Sequence, residues 1–217
     1  MKLFQIAIAL LALGGAAHAQ GYDDSDLRPY SPYSVGVTYS VSARYGVSLP
    51  MGSQANYIDK VSPTNLVLEG QWNFPGKLSV GIQTGYQYNQ QRLGRSVTQF
   101  GDETVSAVQT RTLTTIPALA TVAYNFTNAG AAFRPYVQLG AGGAYVDYTN
   151  FYGVLADRKN GINAAVAPAV GLRVFGRQGK GLGGDIQAQY QHVFFKYNEL
   201  NNSPSLILSA GLVYRFY

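Results

Sequence analysis

Apolar and polar residues alternate along this chain from about residue 35 to the C-terminus. In residues 35–45, Val, Tyr and Ala occupy every odd position, while Gly, Thr, Ser and Arg occupy every even one. Successive side chains of a strand point to opposite faces, so this spacing predicts a strand with one apolar and one polar face. The pattern recurs and predicts seven further strands, at residues 65–74, 78–88, 111–126, 135–148, 162–174, 182–194 and 205–217.

The connections between these segments are of two kinds. Short or moderate connections at residues 75–77, 127–134 and 175–181 alternate with longer ones at 46–64, 89–109, 149–161 and 196–204. This alternation predicts an antiparallel up-and-down sheet with short turns at one end and long loops at the other. Pro117 and Pro168 fall inside predicted strands, where proline cannot donate to a neighbour. A bulge at either proline would re-aim the residues beyond it.

Aromatic residues on the apolar face form two bands near the ends of the predicted strands. Tyrosine and tryptophan favour the level of lipid headgroups, so two such bands indicate a membrane slab between them. The alternative is the aromatic scatter of a secreted β-sandwich or a soluble lipocalin-like barrel. One band contains Trp72, Phe74, Tyr124, Phe126, Tyr214 and Phe216, and the other contains Tyr45, Tyr86, Tyr88, Tyr145 and Phe194.

The N-terminus has the features of a secretory signal peptide. Lys2 precedes an apolar run at residues 3–13, and Ala17-His18-Ala19 forms a small-x-small cleavage site. We therefore expect a signal peptide at residues 1–19, a short acidic lead at 20–33 and a barrel domain at 34–217. The predicted fold is all-β, a single eight-stranded antiparallel up-and-down transmembrane β-barrel with both termini in the periplasm.

The composition excludes several classes of function. The chain has no cysteine, so it has no disulfide framework, thiolate metal site or cysteine nucleophile. The formal net charge is +5 and falls by one when Lys2 is removed with the signal peptide. The basic residues are spread along the chain without a Lys/Arg-rich run, which argues against nucleic acid as a partner.

The C-terminal segment carries a recognisable pattern. Ser209, Gly211, Tyr214 and Phe216 occupy the positions of a motif that resembles the C-terminal assembly signal of bacterial outer-membrane β-barrels, although Tyr217 extends beyond the usual final aromatic residue. With this signal, the strand pattern and segments 78–81 (LSVG) and 135–142 (PYVQLGAG), the chain resembles the small outer-membrane barrel family that includes outer membrane protein X and the membrane domain of outer membrane protein A. The resemblance implies a Gram-negative outer membrane, with membrane lipid, lipopolysaccharide and the barrel-assembly machinery as partners.

Residues able to carry catalysis are scarce. His192, the one histidine outside the predicted signal peptide, shares a face with Tyr190 and Phe194, which indicates an interfacial residue rather than a general base. Gly179, Gly181 and Gly184 match a dinucleotide fingerprint by spacing, but they precede an alternating strand instead of a helix. We therefore predict no catalytic, cofactor-binding or metal-binding residues and no cofactor.

Five charged residues are predicted to point into the barrel. Buried charges must be paired or hydrated, so the simplest interpretation is a structural salt-bridge network. A gated ion path and a pair of carboxylates acting as acid and base, formed by Glu69 and Asp185, are the alternatives. The predicted interior charges are Arg44, Glu69, Arg173, Asp185 and Arg215.

The long loops are the other candidate site, because exposed polar loops on a rigid scaffold often carry recognition. We predict a non-enzymatic barrel with a structural or adhesive role, acting through its extracellular loops on an unidentified ligand. A narrow passive or gated channel is the first alternative, and a membrane-embedded lipid-modifying enzyme is the second. The loop residues considered are Tyr57, Asp59, Lys60, Arg92, Arg95, Asp102 and Glu103.

Overall fold

The alternating segments form strands that close into a ring in the computed structural model. Each strand pairs antiparallel with the next along the chain, and β8 pairs with β1 to complete the barrel. The structure describes residues 36–100, 103–128, 131–153, 155–176, 181–198 and 200–216. It describes the side chains of all these residues except those within 96–107. The elements are β1 (Thr38–Pro50), α1 (Gly52–Tyr57), β2 (Ser62–Asn73), β3 (Leu78–Phe100), β4 (Glu103–Asn125), β5 (Phe133–Tyr152), β6 (Leu155–Phe175), β7 (Gly181–Tyr197) and β8 (Leu200–Phe216).

The predicted eight-stranded antiparallel barrel is confirmed. The predicted signal peptide and lead lie outside the described residues, as does Tyr217. We call the end of the barrel with the start of β1 at Thr38 and the end of β8 at Phe216 the terminus end, and the opposite end, which holds α1, the loop end.

The four long connections were predicted as loops, and this is wrong for much of their length. β3 and β4 continue as a hairpin whose pairing reaches Phe100 and Glu103, and β5 and β6 pair as far as Tyr152 and Leu155. The connection after β1 contains α1, a short helix that an all-β pattern does not predict. The loop end is thus built mainly from ordered hairpins, because main-chain pairing continues beyond the apolar alternation.

Neither proline introduces a bulge. The ladder between β3 and β4 lacks the pairs of Pro117 and of its neighbour Ile116, and it then resumes in the same register. Pairing of β6 with β7 likewise omits the two pairs at Ala167 and Pro168 and resumes unshifted at Ala169. A missing proline N–H explains both gaps, because each omitted pair requires a hydrogen bond from that nitrogen. The residues beyond the prolines therefore keep their register.

The barrel wall is apolar outside and largely polar inside. Ile82 and Leu212 are about 60% exposed on the outer surface, whereas Arg44 and Asp185 are fully buried in the interior. The residues of both predicted aromatic bands point outward, with Tyr88 partly covered by its neighbours. An outward apolar face around a polar interior is the arrangement that a membrane-spanning barrel requires.

Candidate functional site

Four charged side chains meet in the interior, in the half of the barrel nearer the terminus end. Arg44 lies at their centre: its Nη1 donates to Asp185 Oδ2 at 2.5 Å, and its Nη2 donates to Glu69 Oε2 at 2.9 Å. Arg44 Nη1 also lies 3.2 Å from the Ser42 hydroxyl. One guanidinium therefore bridges two carboxylates on β2 and β7. We call Arg44, Glu69, Arg173 and Asp185 the charge cluster.

Arg173 is the second cation of the charge cluster. Its Nη2 lies 3.7 Å from Glu69 Oε2 and its Nε lies 3.5 Å from Asp185 Oδ2. Its guanidinium stacks 4.2 Å above the ring of Tyr136, whose hydroxyl donates to Asp185 Oδ1 at 3.0 Å. Two arginines thus face two carboxylates in a site with no net charge, which offsets much of the cost of burying them.

Neutral donors complete the environment of Glu69. Its Oε1 accepts hydrogen bonds from Gln71 Nε2 and Gln138 Nε2, both at 2.7 Å, and from the Thr121 hydroxyl at 3.4 Å. Gln71 in turn accepts a hydrogen bond from Arg173 Nη1 at 2.5 Å. Two arginines and three neutral donors therefore surround the Glu69 carboxylate.

Four of the five interior charges predicted from the sequence are thus brought together, and the fifth lies elsewhere. Arg215 points inward but nearer the terminus end, where its Nε and Nη2 donate to the Thr38 hydroxyl and its guanidinium lies over the Phe175 ring. Sequence reasoning missed Tyr136 and the buried Arg134. Both lie an even number of residues before Gln138 on β5, so the alternation of side chains could have placed both of them inside.

A layer of amides lies above the charge cluster, toward the loop end. Gln83 Nε2 donates to Gln189 Oε1 across the barrel at 2.8 Å, and Gln138 Nε2 approaches Gln83 Oε1 at 3.2 Å. Gln87 Nε2 donates to the Ser48 hydroxyl at 2.8 Å, and its side chain also contacts Gln191. These bonds join strands that are not neighbours in the ring, so side chains fill the interior at this level.

The interior at the loop end is closed by apolar and aromatic side chains. Tyr57, from the end of α1, stacks on Tyr148 with ring centroids 4.6 Å apart, and Tyr148 also contacts Phe195. The Arg111 guanidinium lies over the Tyr57 ring, 4.9 Å from its centroid. We call this group the aromatic closure. Its buried members are Tyr57, Ile58, Leu113, Val146, Tyr148, Phe195 and Leu200.

Contacts with β8 and the neighbouring turn hold α1 in place. The Met51 N–H donates to the Pro204 carbonyl at 2.9 Å, and the Ser203 hydroxyl donates to Gln54 Oε1 at 2.9 Å. The Ser53 hydroxyl donates to the Asn201 and Asn202 carbonyls. Tyr57, predicted as an exposed loop residue, is therefore buried. The sequence prediction was wrong because the partners of Tyr57 come from strands far away in the chain.

The loop end also carries charged groups outside the barrel wall. Arg158 Nε donates to Asp147 Oδ1 at 3.0 Å, and a second bond joins the same two groups. These hydrogen bonds hold the pKa of Asp147 below its usual range. The Tyr197 hydroxyl and the Asn198 amide both donate to Asp157 at 2.8 Å, which ties β7 to β6.

His192, Gly181 and Gly184, which the sequence analysis weighed as candidates, all lie in β7. His192 lies on the outer face between the rings of Tyr190 and Phe194. Gly181 and Gly184 belong to strand β7, so they do not precede a helix. In the described part of the chain, no group of three or more His, Cys, Asp or Glu side chains could hold a metal ion. No helix within the described ranges has the length and apolar content to cross a membrane.

Comparisons with known proteins show a fold but no close relative. No protein-family model and no curated protein matches this chain. Among solved structures it is similar to Neisserial surface protein A, with 13% identity and a TM-score of 0.51 over 83% of this chain and 97% of that one. The chain has the fold of the small outer-membrane β-barrels. At this identity the likeness shows the fold alone.

Two further solved structures differ in function from each other. One is Ail, the attachment invasion locus protein of Yersinia pestis, with 14% identity and a TM-score of 0.46 over 83% of this chain and 97% of that one. The other is the outer membrane protease OmpT of Escherichia coli, with 9% identity and a TM-score of 0.42 over the same shares. An apolar outer wall around a polar interior, in a barrel of this fold, makes the chain an outer-membrane protein of a Gram-negative bacterium.

Proposed function

We propose that this barrel is a non-enzymatic, non-conducting scaffold that presents its loop end at the cell surface for recognition or adhesion. The observation that carries the proposal is the filled interior. The charge cluster, the amide layer and the aromatic closure follow one another along the barrel axis. The charge cluster joins β2 to β6 and the amide layer joins β3 to β7, on opposite sides of the ring, while the aromatic closure joins α1 to β5. Eight strands enclose a space that side chains can fill, so a wide pore is not expected.

The loop end supports a role in recognition because one hairpin extends well beyond its neighbours. β2 pairs with β3 only as far as Tyr88, and β5 pairs with β4 only as far as Gln109. One further bond joins the Gly153 N–H to the Val108 carbonyl, and beyond it β3 and β4 pair only with each other, up to Phe100 and Glu103. A ribbon of about 17 Å, five residues of β4 at about 3.3 Å per residue, therefore has two open main-chain edges, which another chain can extend.

We propose that the terminus end faces the periplasm. The even number of strands puts both barrel termini at one end, and the longer hairpins at the other end match the extracellular side of such barrels. Single-cysteine variants test this orientation cleanly, because the chain has no cysteine of its own. In whole cells, a membrane-impermeant maleimide should label Lys159→Cys at the loop end and leave Lys77→Cys at the β2–β3 turn unlabelled. The reverse result would overturn the orientation.

Two measurements test the proposed function itself. The purified protein in planar lipid bilayers should show no steady conductance of the size of large porins. Cells that carry a variant with residues 93–107 replaced by a two-residue turn should adhere less to surfaces coated with extracellular-matrix protein, at equal outer-membrane levels. Steady conductance of the unmodified protein would favour the channel alternative, and unchanged adhesion would remove the role proposed for the hairpin.

A further inference from the structure

The helix α1 lies at the loop end without belonging to the wall of the barrel. The chain leaves β1 at Pro50 and enters β2 at Ser62, so residues 51–61 lie outside the ring of strands. We call residues 51–61 the cap segment. A helix of six residues is too short to be stable alone. The position of the cap segment therefore depends on its contacts with the strands around it.

The first end of the cap segment is fixed to the start of β8. The Met51 N–H donates to the Pro204 carbonyl at 2.9 Å, and the Ser53 hydroxyl donates to the Asn202 carbonyl at 2.8 Å. Between these two anchored residues, Gly52 has a φ of +50°, in the left-handed region that favours glycine. Because the start of β8 pairs with the end of β1, the anchor lies next to the strand that the segment leaves. Gly52 thus supplies a position about which the segment can turn.

Arg111 on β4 holds the second end of the cap segment. Its Nη1 donates to the Tyr57 carbonyl at 3.0 Å, and its guanidinium lies over the ring of the same residue. A cation at the end of a helix is favourable, because the last carbonyls have no partner within the helix. The other polar contacts described at this end are a 3.3 Å bond from the Tyr57 hydroxyl to the Thr149 carbonyl and the exposed pair of Asp59 with Gln91. Arg111 therefore binds both the main chain and the side chain that close the interior.

The closed position of the cap segment buries polar atoms that lack partners. Asn89 is fully buried, and neither atom of its amide has a hydrogen-bond partner among the residues with described side chains. It pairs in the sheet with Leu113, a member of the aromatic closure, so it lies at the level of the closure. Gln54 on α1 is also fully buried, and its Nε2 finds no partner in the same set of residues. Burial of such groups costs free energy that contact with water would recover, so hydration of these amides offsets part of the cost of opening.

Neutral hydroxyl and amide groups line the interior beneath the cap segment. Gln87 Nε2 donates to the Ser48 hydroxyl at 2.8 Å and lies 3.4 Å from the Ser205 hydroxyl, while Gln191 Nε2 lies 3.5 Å from Gln87 Oε1. Water and small polar molecules can exchange hydrogen bonds with such groups. The charge cluster closes the interior further toward the terminus end. Movement of the cap segment would therefore open a polar space with a closed floor, not a path through the barrel.

We propose that the cap segment is a lid that turns about Gly52 and is latched by Arg111. When the latch is released, the end of the lid near Tyr57 leaves the interior, and the end bonded to β8 stays in place. Water and small polar solutes then reach the amide layer from the loop end. Arg111 is a positioning residue in this device, because it acts through Tyr57. The lid goes beyond the proposed scaffold function and does not depend on it, since the charge cluster blocks conduction in either position of the lid.

The rate at which an introduced thiol is modified tests the lid, because the chain has no cysteine of its own. Ser48→Cys places a thiol beneath the lid, and Ser79→Cys places one near the terminus end; both serines are fully buried. In lipid vesicles, a small methanethiosulfonate reagent should modify both thiols slowly, as measured by the mass of the intact protein. Adding Arg111→Ala should raise the rate at least tenfold for Ser48→Cys and leave it unchanged for Ser79→Cys. Lys60→Ala, which removes an exposed cation of the cap segment, is the control and should change neither rate.

An unchanged rate for Ser48→Cys after Arg111→Ala would overturn the proposal. An equal rise for both thiols would also overturn it, because a general loosening of the barrel would then explain the result. Rapid modification of Ser48→Cys with Arg111 in place would show that the segment does not close the interior. Arg111→Gln replaces Arg111→Ala if that variant does not fold, and heat-modifiable gel migration reports the folded fraction. Conductance and adhesion are measured separately, so a failure of the proposed function leaves this test valid.

Discussion

Arg44 on β1 and Asp185 on β7 are joined by a 2.5 Å hydrogen bond across 141 residues of sequence. β8 lies between their two strands in the ring, so this contact spans the interior instead of following the wall. It can form only when β8 has paired with β1 and closed the barrel. The charge cluster therefore forms only in the closed barrel, and its loss should lower the stability of the whole fold.

Removing one carboxylate from the charge cluster should destabilise the barrel strongly. Glu69→Ala or Asp185→Ala leaves two buried arginines facing one carboxylate, and such unpaired buried charge costs about 3 to 5 kcal/mol. Urea unfolding from lipid vesicles measures the free energy of unfolding. Asp59→Ala, at an exposed carboxylate of the loop end, is the control and should change it by less than about 0.5 kcal/mol. Unchanged stability in both cluster variants would show that the cluster does not hold the barrel together.

Gly211 should not tolerate a side chain, for a reason of space at the β1–β8 seam. A Cβ there would lie 2.0 Å from the Ala43 carbonyl oxygen and 2.6 Å from Arg44 Cα. Gly211→Ala should therefore cost about 1 to 3 kcal/mol or prevent closure, as overpacking does. Gly70→Ala is the matched control, because a Cβ at Gly70 meets nothing within 4 Å. Heat-modifiable gel migration reports the folded fraction, and equal folding of both variants would contradict this prediction.

A charged side chain on the outer wall near the bilayer midplane should destabilise the barrel. Ile186 is 60% exposed on the lipid face of β7, and an arginine near the bilayer midplane of a barrel costs about 2 to 4 kcal/mol. Ile186→Arg should lower stability in vesicles by this amount, while Asn160→Arg at the loop end should have little effect. A larger loss in Asn160→Arg would mean that the bilayer surrounds a different part of the wall.

The aromatic closure and the charge cluster should block the barrel independently. Tyr57→Ala removes the ring that stacks on Tyr148, but the charge cluster below it remains, so planar bilayers should still show no steady current. The double variant Tyr57→Ala/Glu69→Ala weakens both barriers. It also loosens the amide layer, because Gln138 bonds both Glu69 and Gln83, so this variant should leak. Asn56→Ala, exposed on the same helix, is the control. A current through Tyr57→Ala alone would mean that the cluster does not close the interior.

Truncation at the C-terminus should impair assembly more than truncation of the long hairpin. Tyr214 and Phe216 pair with Val41 and Tyr39, so removing residues 214–217 opens the ring at the terminus end. Replacing residues 93–107 with a short turn removes a ribbon that pairs only with itself at its tip. Outer-membrane fractionation should find far less folded protein after the first change. Equal amounts would show that the terminal segment is dispensable.

Local periodicity was sufficient to predict the strands and their faces. Alternation placed Glu69 and Asp185 inside and Ile186 outside without any knowledge of partners, because successive side chains of a strand point in opposite directions. In β4 the same alternation leaves Leu113 and Leu119 buried and Ile116 exposed. What failed was the extent of the strands, since main-chain pairing at the loop end continues where the apolar pattern stops.

The sequence by itself thus determined the barrel class, the number of strands and the inward face of the five predicted interior charges, since these depend on neighbours along one strand. Only the tertiary structure decided which inward residues meet. Ring closure and stagger bring Arg44 to Asp185 and leave Arg215 beside Thr38. They also bury Tyr57 against Tyr148. Contacts between strands that are distant in sequence depend on how the sheet closes, and the local alternation of residues does not predict this closure.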